Sequence, residues 1–115
     1  MLRIPKTKAV KYGRKGLTGY NYELPDIDGG TTVLYAELTG EHGERTIGDK
    51  ARIYFILEGT AKFIVDGQKF NAKPHDVVPI KPYTTYNYYP TSPILKVIAF
   101  MELLDVSKLP KSKTG

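Results

Sequence analysis

The sequence predicts an all-β domain whose strands close into a sandwich or barrel. Three observations carry this. Short β-branched and aromatic runs alternate with Gly, Pro, Asn and Asp along most of the chain. Asp66-Gly67, set between two such runs, is a strong hairpin signal because both positions tolerate positive φ. Helix signals are poor: no window longer than ten residues keeps apolar residues at i, i+3, i+4 and i+7 without an interrupting Gly or Pro.

The elements follow in order. Residues 8–12 and 20–24 are weaker strand candidates. Residues 31–38 make a good strand, with Leu34, Ala36 and Leu38 on one face. Residues 52–58 follow, apolar on both faces through Ile53 and Leu57, so burial on both sides is expected. Glu58-Gly59 turns the chain into residues 60–65, and Asp66-Gly67 returns it through residues 68–72. Pro74-His75-Asp76 is a turn. Residues 77–80, 84–89 and 94–103 complete eight or nine short strands. Closure of such a set hides its edges.

At 115 residues the chain is one domain, without internal repeats. It divides into a basic N-terminal arm with possible edge strands (1–30), a barrel (31–104) and a polar basic tail (105–115). There is no cysteine, which excludes disulfides, thiolate nucleophiles and Cys-based metal sites. Apolar runs long enough to span a membrane are absent, and the basic start lacks the apolar stretch of a signal peptide; a cytoplasmic protein is expected. The net charge of +5 is uneven, with +6 in residues 1–15 and +3 in residues 107–115. Basic ends suit a polyanion, but no nucleic-acid motif accompanies them, so solvated arms are expected and nucleic acid is not.

The run IYFILEGTAKFIVDGQKFNAKPHDVVPIKPYTTY carries strand, Leu-x-Gly, strand, Asp-Gly, strand, Pro-x-Asp, strand, in that order and without a gap. This spacing resembles the cupin superfamily, the small RmlC-like jelly-roll or double-stranded β-helix barrels, over about residues 31–103. The resemblance implies a barrel interior that commonly holds a metal on a His-x-His pair, a Glu and a later His. Those positions here fall near Arg45, Thr46, Ile47 and Gly48, at Arg52, and at Tyr86. Arg neither deprotonates nor ligates a cation, so no metal and no other cofactor is expected. His42 and Glu44, on a Gly-rich loop upstream, are metal-capable types. They read as surface residues, and His75 reads as a turn residue where the family has Gly. Tyr83 likewise takes the place of a turn glycine.

In the resembled register Arg52, Tyr54, Ile56, Tyr86 and Tyr88 point inward, with Phe63 and Val65 from the neighbouring strand. A guanidinium ringed by phenols suits a sugar, sugar phosphate or carboxylate ligand. The alternative reading is a filled core, with Arg52 paired to Glu37, Glu44 or Glu58. Tyr83 and Tyr89 belong to a rim or interface. Ile53, Phe55 and Leu57, with Val33 and Tyr35, form an apolar outer face, and a homodimer is expected to bury it.

The leading functional expectation is a metal-free protein that binds such a metabolite without obvious catalysis. The first alternative is a metal-independent sugar or sugar-nucleotide isomerase or epimerase. Cupin-like epimerases imply a His base and a Tyr acid. GTAKFIVDGQ and PILKVI also look like the cupin part of mannose-6-phosphate isomerase. Tyr86 or Tyr54, with its phenol acidified by Arg52, would act as acid or base. No histidine falls on an inward strand position, so the His–Tyr pair is not visible in the sequence. The second alternative is an oligomeric interaction or regulatory module.

Overall fold

The computed structural model describes residues 3–25, 27 and 30–102. The expected tail at 105–115 lies outside them. Ten strands follow a single turn of 3-10 helix at Lys6–Lys8: β1 Val10–Arg14, β2 Leu17–Leu24, β3 Thr31–Leu38, β4 Arg45–Thr46, β5 Arg52–Glu58, β6 Ala61–Val65, β7 Gln68–Ala72, β8 Val77–Ile80, β9 Thr85–Pro90 and β10 Leu95–Glu102. They form a six-stranded sheet, β1-β2-β3-β10-β5-β8, and a four-stranded sheet, β4-β9-β6-β7. Each pairing is antiparallel.

The inner faces of the two sheets make the core. Leu34, Ala99, Tyr54 and Val78 stand opposite one another across β3, β10, β5 and β8, and Ala36, Val97 and Ile56 form the next row. The smaller sheet answers with Phe63, Tyr86 and Tyr88, all buried. Alternation decides the outer face of β5. Ile53 and Leu57 are 44% and 41% exposed, so the strand is buried on one side and not on both, as its sequence suggested. Phe100 at 43% and Val77 at 57% lie on the same outer side. Lys96 and Glu58 form an ion pair at 3.5 Å across β10 and β5.

The arm expected at residues 1–30 supplies β1 and β2, and β2 pairs with β3 through eight residues, from Leu17 opposite Leu38 to Leu24 opposite Thr31. The sequence showed only part of β2, because Gly19 and Asn21 interrupt the apolar pattern. Strand β4 is two residues long and gave no signal at all. His75 and Tyr83 take the left-handed backbone of turn glycines, with φ of 74° and 61°. Among the described residues no helix is long and apolar enough to cross a membrane.

Gly59 ties the two sheets at one end. Its φ is +84°, and a Cβ there would lie 2.2 Å from the Ile94 carbonyl oxygen and 2.6 Å from Ser92 Oγ. The vacancy lets the β5–β6 turn lie against the β9–β10 loop. There Thr60 N–H donates to Ser92 Oγ (2.9 Å), Thr91 N–H to Thr60 O (2.8 Å) and Ser92 Oγ–H to Ile94 O (2.7 Å). Gly59→Ala should therefore destabilise by more than about 2 kcal/mol, because backbone must move. Gly48→Ala, with open space around the new methyl, should stay within about 0.5 kcal/mol of the parent. Urea unfolding of both variants checks the contrast.

Candidate functional site

The site is built on β5 and β9, which face each other across the barrel. Strand alternation sends Arg52, Tyr54 and Ile56 inward from β5, and Tyr86 and Tyr88 inward from β9. Tyr54, Tyr86 and Tyr88 are each 1% exposed, and Phe63 is fully buried. The Tyr88 ring stacks on Phe63 at 4.6 Å and meets Tyr54 edge-on at 5.1 Å. Phe63 and the ring of Tyr88 are thus packed interior. Arg52, half-buried, brings the polar end.

The hydroxyls converge on Tyr86. Arg52 Nη1 donates to Tyr86 Oη at 3.1 Å, and the Tyr54 and Tyr86 hydroxyls share a hydrogen bond of 2.6 Å. Among the described side chains no carboxylate lies within ion-pair distance of Arg52. The alternative pairing with Glu37, Glu44 or Glu58 is not made: Glu37 accepts from Tyr35 Oη at 2.8 Å, Glu58 pairs with Lys96, and Glu44 is exposed.

His42 corrects the sequence reading most sharply. It is no surface residue. Its ring stacks on Tyr88 at 4.7 Å and on Tyr86 at 5.5 Å. Its backbone N–H donates to Tyr88 O (2.8 Å), and Gly43 N–H donates to Asn87 Oδ1 (2.9 Å). The Asn87 amide nitrogen donates to Glu41 Oε2 at 2.9 Å. From β1, Arg14 donates to the carbonyls of Glu41 and His42. The loop before β4 therefore swings an imidazole over the tyrosines, which strand alternation alone did not reveal. His42 Nδ1 lies 2.8 Å from Gly43 O. A carbonyl only accepts, so Nδ1 carries the proton and Nε2 of the neutral ring is an acceptor.

Burial lowers the His42 pKa to about 4, and the charges of Arg45, Arg14 and Arg52 push the same way. Burial raises Tyr54 and Tyr88 well above the ordinary phenol value. The expected acidification of Tyr54 by Arg52 is present but is outweighed by desolvation. For Arg52, burial alone would lower the pKa; the adjacent Tyr86 and Tyr54 outweigh it and raise it. The group is thus a fixed cation beside a neutral imidazole and neutral phenols.

The fold's usual metal does not fit here. Arg52 and Tyr86 occupy inward ligand positions, and Arg45 stands opposite Tyr86 in the β4–β9 ladder. Among the described residues no three His, Cys, Asp or Glu side chains come together as a metal-holding group, His42 and Glu44 included.

The sequence reading missed two further residues, on the arm. Tyr12 is largely buried, and its pKa is raised to about 12 by burial against the lowering fields of Arg14 and Arg52. It lies on Gly19, where a Cβ would come within 2.4 Å of the ring. A Tyr and an Arg at alternate positions of VKYGR were the available signal.

The His42 shift has a sign. Its folded pKa lies below the unfolded value of 6.5, so the unfolded chain binds the proton first as pH falls. The stability from neutral His42 is complete above about pH 6.5 and is lost toward about pH 4. Against His42→Gln, the parent should lose up to about 3 kcal/mol more between pH 7 and pH 4. Denaturant melts of both proteins across that range read the difference.

No protein-family model and no curated protein matches the chain. Solved structures do. KdgF from Halomonas sp. aligns with a TM-score of 0.73 and 14% identity, over 90% of this chain and 94% of that one. A predicted oxalate decarboxylase from Thermotoga maritima aligns at 0.72 and 17%, over 90% and 100%. Streptomyces PAC13, described as a nucleoside dehydratase, aligns at 0.75 and 15%, over 99% and 96%. PAC13 structures with uridine include variants with a histidine changed to glutamine or a tyrosine changed to phenylalanine. At such identities the likeness is one of fold. Two antiparallel sheets closed into a barrel, the turn spacing of β5–β9 and these alignments make the chain a cupin-fold protein.

Proposed function

We propose that the chain binds a small sugar-containing, nucleoside-type ligand at the Arg52 end of its barrel and moves a proton at carbon next to a carbonyl on it. The observation that carries this reading is the neutral His42 ring stacked over Tyr86, whose hydroxyl is held by both Tyr54 and Arg52. It is the His–Tyr pairing that the epimerase alternative required. A binder without catalysis needs the cation and the aromatic faces, but not an imidazole whose acceptor nitrogen is left open.

The chemistry balances without a cofactor. Nε2 of His42 takes the proton from carbon, and the electron pair moves onto the carbonyl oxygen as an enolate. Arg52 and the Tyr86 hydroxyl it holds stabilise the new oxyanion. Two outcomes follow from one intermediate. Delivery of a proton to the other face by a phenol of the Tyr54–Tyr86 pair inverts the carbon. Loss of a β-hydroxyl, protonated by a phenol of the same pair, releases water and leaves a double bond; in either case the His42 imidazolium then returns its proton to the phenolate. A pKa of about 4 makes free His42 a weak base. Negative charge developing beside Arg52 offsets the arginine field, so the proton affinity of His42 rises as the carbon gives up its proton.

The nucleoside class is supported by the neighbouring fold of PAC13, which holds uridine and is likewise represented by histidine and tyrosine variants. Residues of those two types meet here at His42, Tyr54, Tyr86 and Tyr88.

Keto-sugars and keto-nucleosides incubated in D2O test the reading, with NMR following deuterium uptake at the carbon beside the carbonyl. The parent should exchange on at least one of them. His42→Gln should lose at least about 100-fold and Tyr86→Phe about 10- to 100-fold, both still folded. A parent that exchanges none of the panel while binding uridine would leave a binding protein.

A further inference from the structure

Asn21 is the anomaly of the interior. It is 1% exposed, and among the described buried side chains its amide nitrogen and oxygen alone have no hydrogen-bond partner. A buried orphan amide costs about 1–3 kcal/mol, so its presence calls for a reason. Its placement suggests one. Leu17, Gly19 and Asn21 are the buried positions of β2, alternating with Thr18 and Tyr20, and Tyr20 stacks on the outer face against Tyr35. Asn21 therefore faces inward. It stands opposite Leu34, in the row that runs through Ala99 to Tyr54. Two residues away on that face is Gly19, covered by the ring of Tyr12. Tyr12 in turn feels the charges of Arg14 and Arg52. The orphan and the acid–base cluster belong to one interior.

We infer that Asn21 reads the ligand of this site through a donor and an acceptor set side by side, the edge of a cyclic amide such as a pyrimidine base. The inference rests on the nucleoside reading above. A carboxamide with both atoms open is complementary to such an edge, which returns one donor and one acceptor in the same plane. An ionised phosphate, which only accepts, does not match both atoms at once. The amide has no exposed surface in the free protein, so a side chain must move to admit the base. Tyr12, on the end strand of the sheet and still partly exposed, is the one placed to swing. Asn21 is then a specificity residue that touches the base and leaves the proton transfer to His42 and the tyrosines.

Titration calorimetry with uridine, N3-methyluridine and ribose 5-phosphate tests this, on the parent, Asn21→Leu and Asn21→Ala. The parent should bind uridine, and N3-methyluridine on the order of tenfold more weakly. Both variants should lose about tenfold or more for uridine while holding ribose 5-phosphate as the parent does. Asn21→Leu, which removes two orphan polar atoms, should melt no lower than the parent. Should Leu not fit, Asn21→Ala carries the same binding comparison. Uridine affinity undiminished in either variant overturns the inference alone, as does equal binding of N3-methyluridine by the parent. A parent that binds neither uridine nor ribose 5-phosphate overturns the ligand reading, and this inference with it.

Discussion

The site hangs on the hydrogen bonds that fasten residues 41–43 to their neighbours. His42 N–H reaches Tyr88 O, Gly43 N–H reaches the Asn87 amide, and Arg14 grips the carbonyls on the far side. In a metal-binding barrel the ion itself can draw its ligands together. Here hydrogen bonds between the loop backbone and its neighbours, the Arg14 and Asn87 side chains among them, do that work and hold the imidazole over Tyr86 and Tyr88. Asn87 is the pivot. Its oxygen serves Gly43 and the Tyr88 N–H, and its nitrogen serves Glu41. One outward side chain of β9 thus sets where an inward-facing ring sits.

That placement determines the electrostatics. Three guanidiniums, Arg14, Arg45 and Arg52, act on one imidazole, and among the described residues none of them forms an ion pair with a carboxylate. The field and the burial together keep His42 neutral, while burial keeps Tyr54 and Tyr88 protonated. Under the proposed function, neutral donors and an acceptor beside such a cation serve a species that becomes negative during its stay. A resident anion would stabilise the ground state as much as any later state, and binding of that kind does not accelerate a reaction.

The sequence disclosed strands where periodicity and turn chemistry agreed. Strands β3, β5, β7 and β8 fall on the expected residues, β6 and β10 begin one residue later than expected, and β9 is displaced by one residue along its whole length. Period-2 alternation put Arg52 with Tyr54 and Tyr86 with Tyr88 on shared faces, and the resembled register aimed those faces, and Phe63, inward. What stayed hidden was contributed by loops and by the arm. His42 sits in a Gly-rich loop, where no period exists to say which way a side chain turns. Tyr12 and Arg14 lie on a strand whose inward face carries a glycine and an asparagine opposite, so no apolar stripe marked it. The pairing of Tyr86 with Arg52 spans 34 residues of chain and depends on the closure of two sheets, which local patterns do not encode.

The interior carries opposite loads. Phe63, Tyr88 and Tyr54 stack and fill the volume, and each large side chain so buried contributes about 1.5–3 kcal/mol. Against them stand Arg52, with no ion-pair partner among the described carboxylates, and Asn21, in the row of Tyr54 with both amide atoms unpartnered, each a cost in the free protein. Sites with such costs persist where a ligand removes them, and the removal sharpens choice: a ligand that satisfies only the cation leaves the amide orphaned. Under the proposed function, a base with an amide edge joined to a sugar that turns anionic would settle both. The filled core supplies the stability that lets these polar groups remain unsatisfied until the site is occupied.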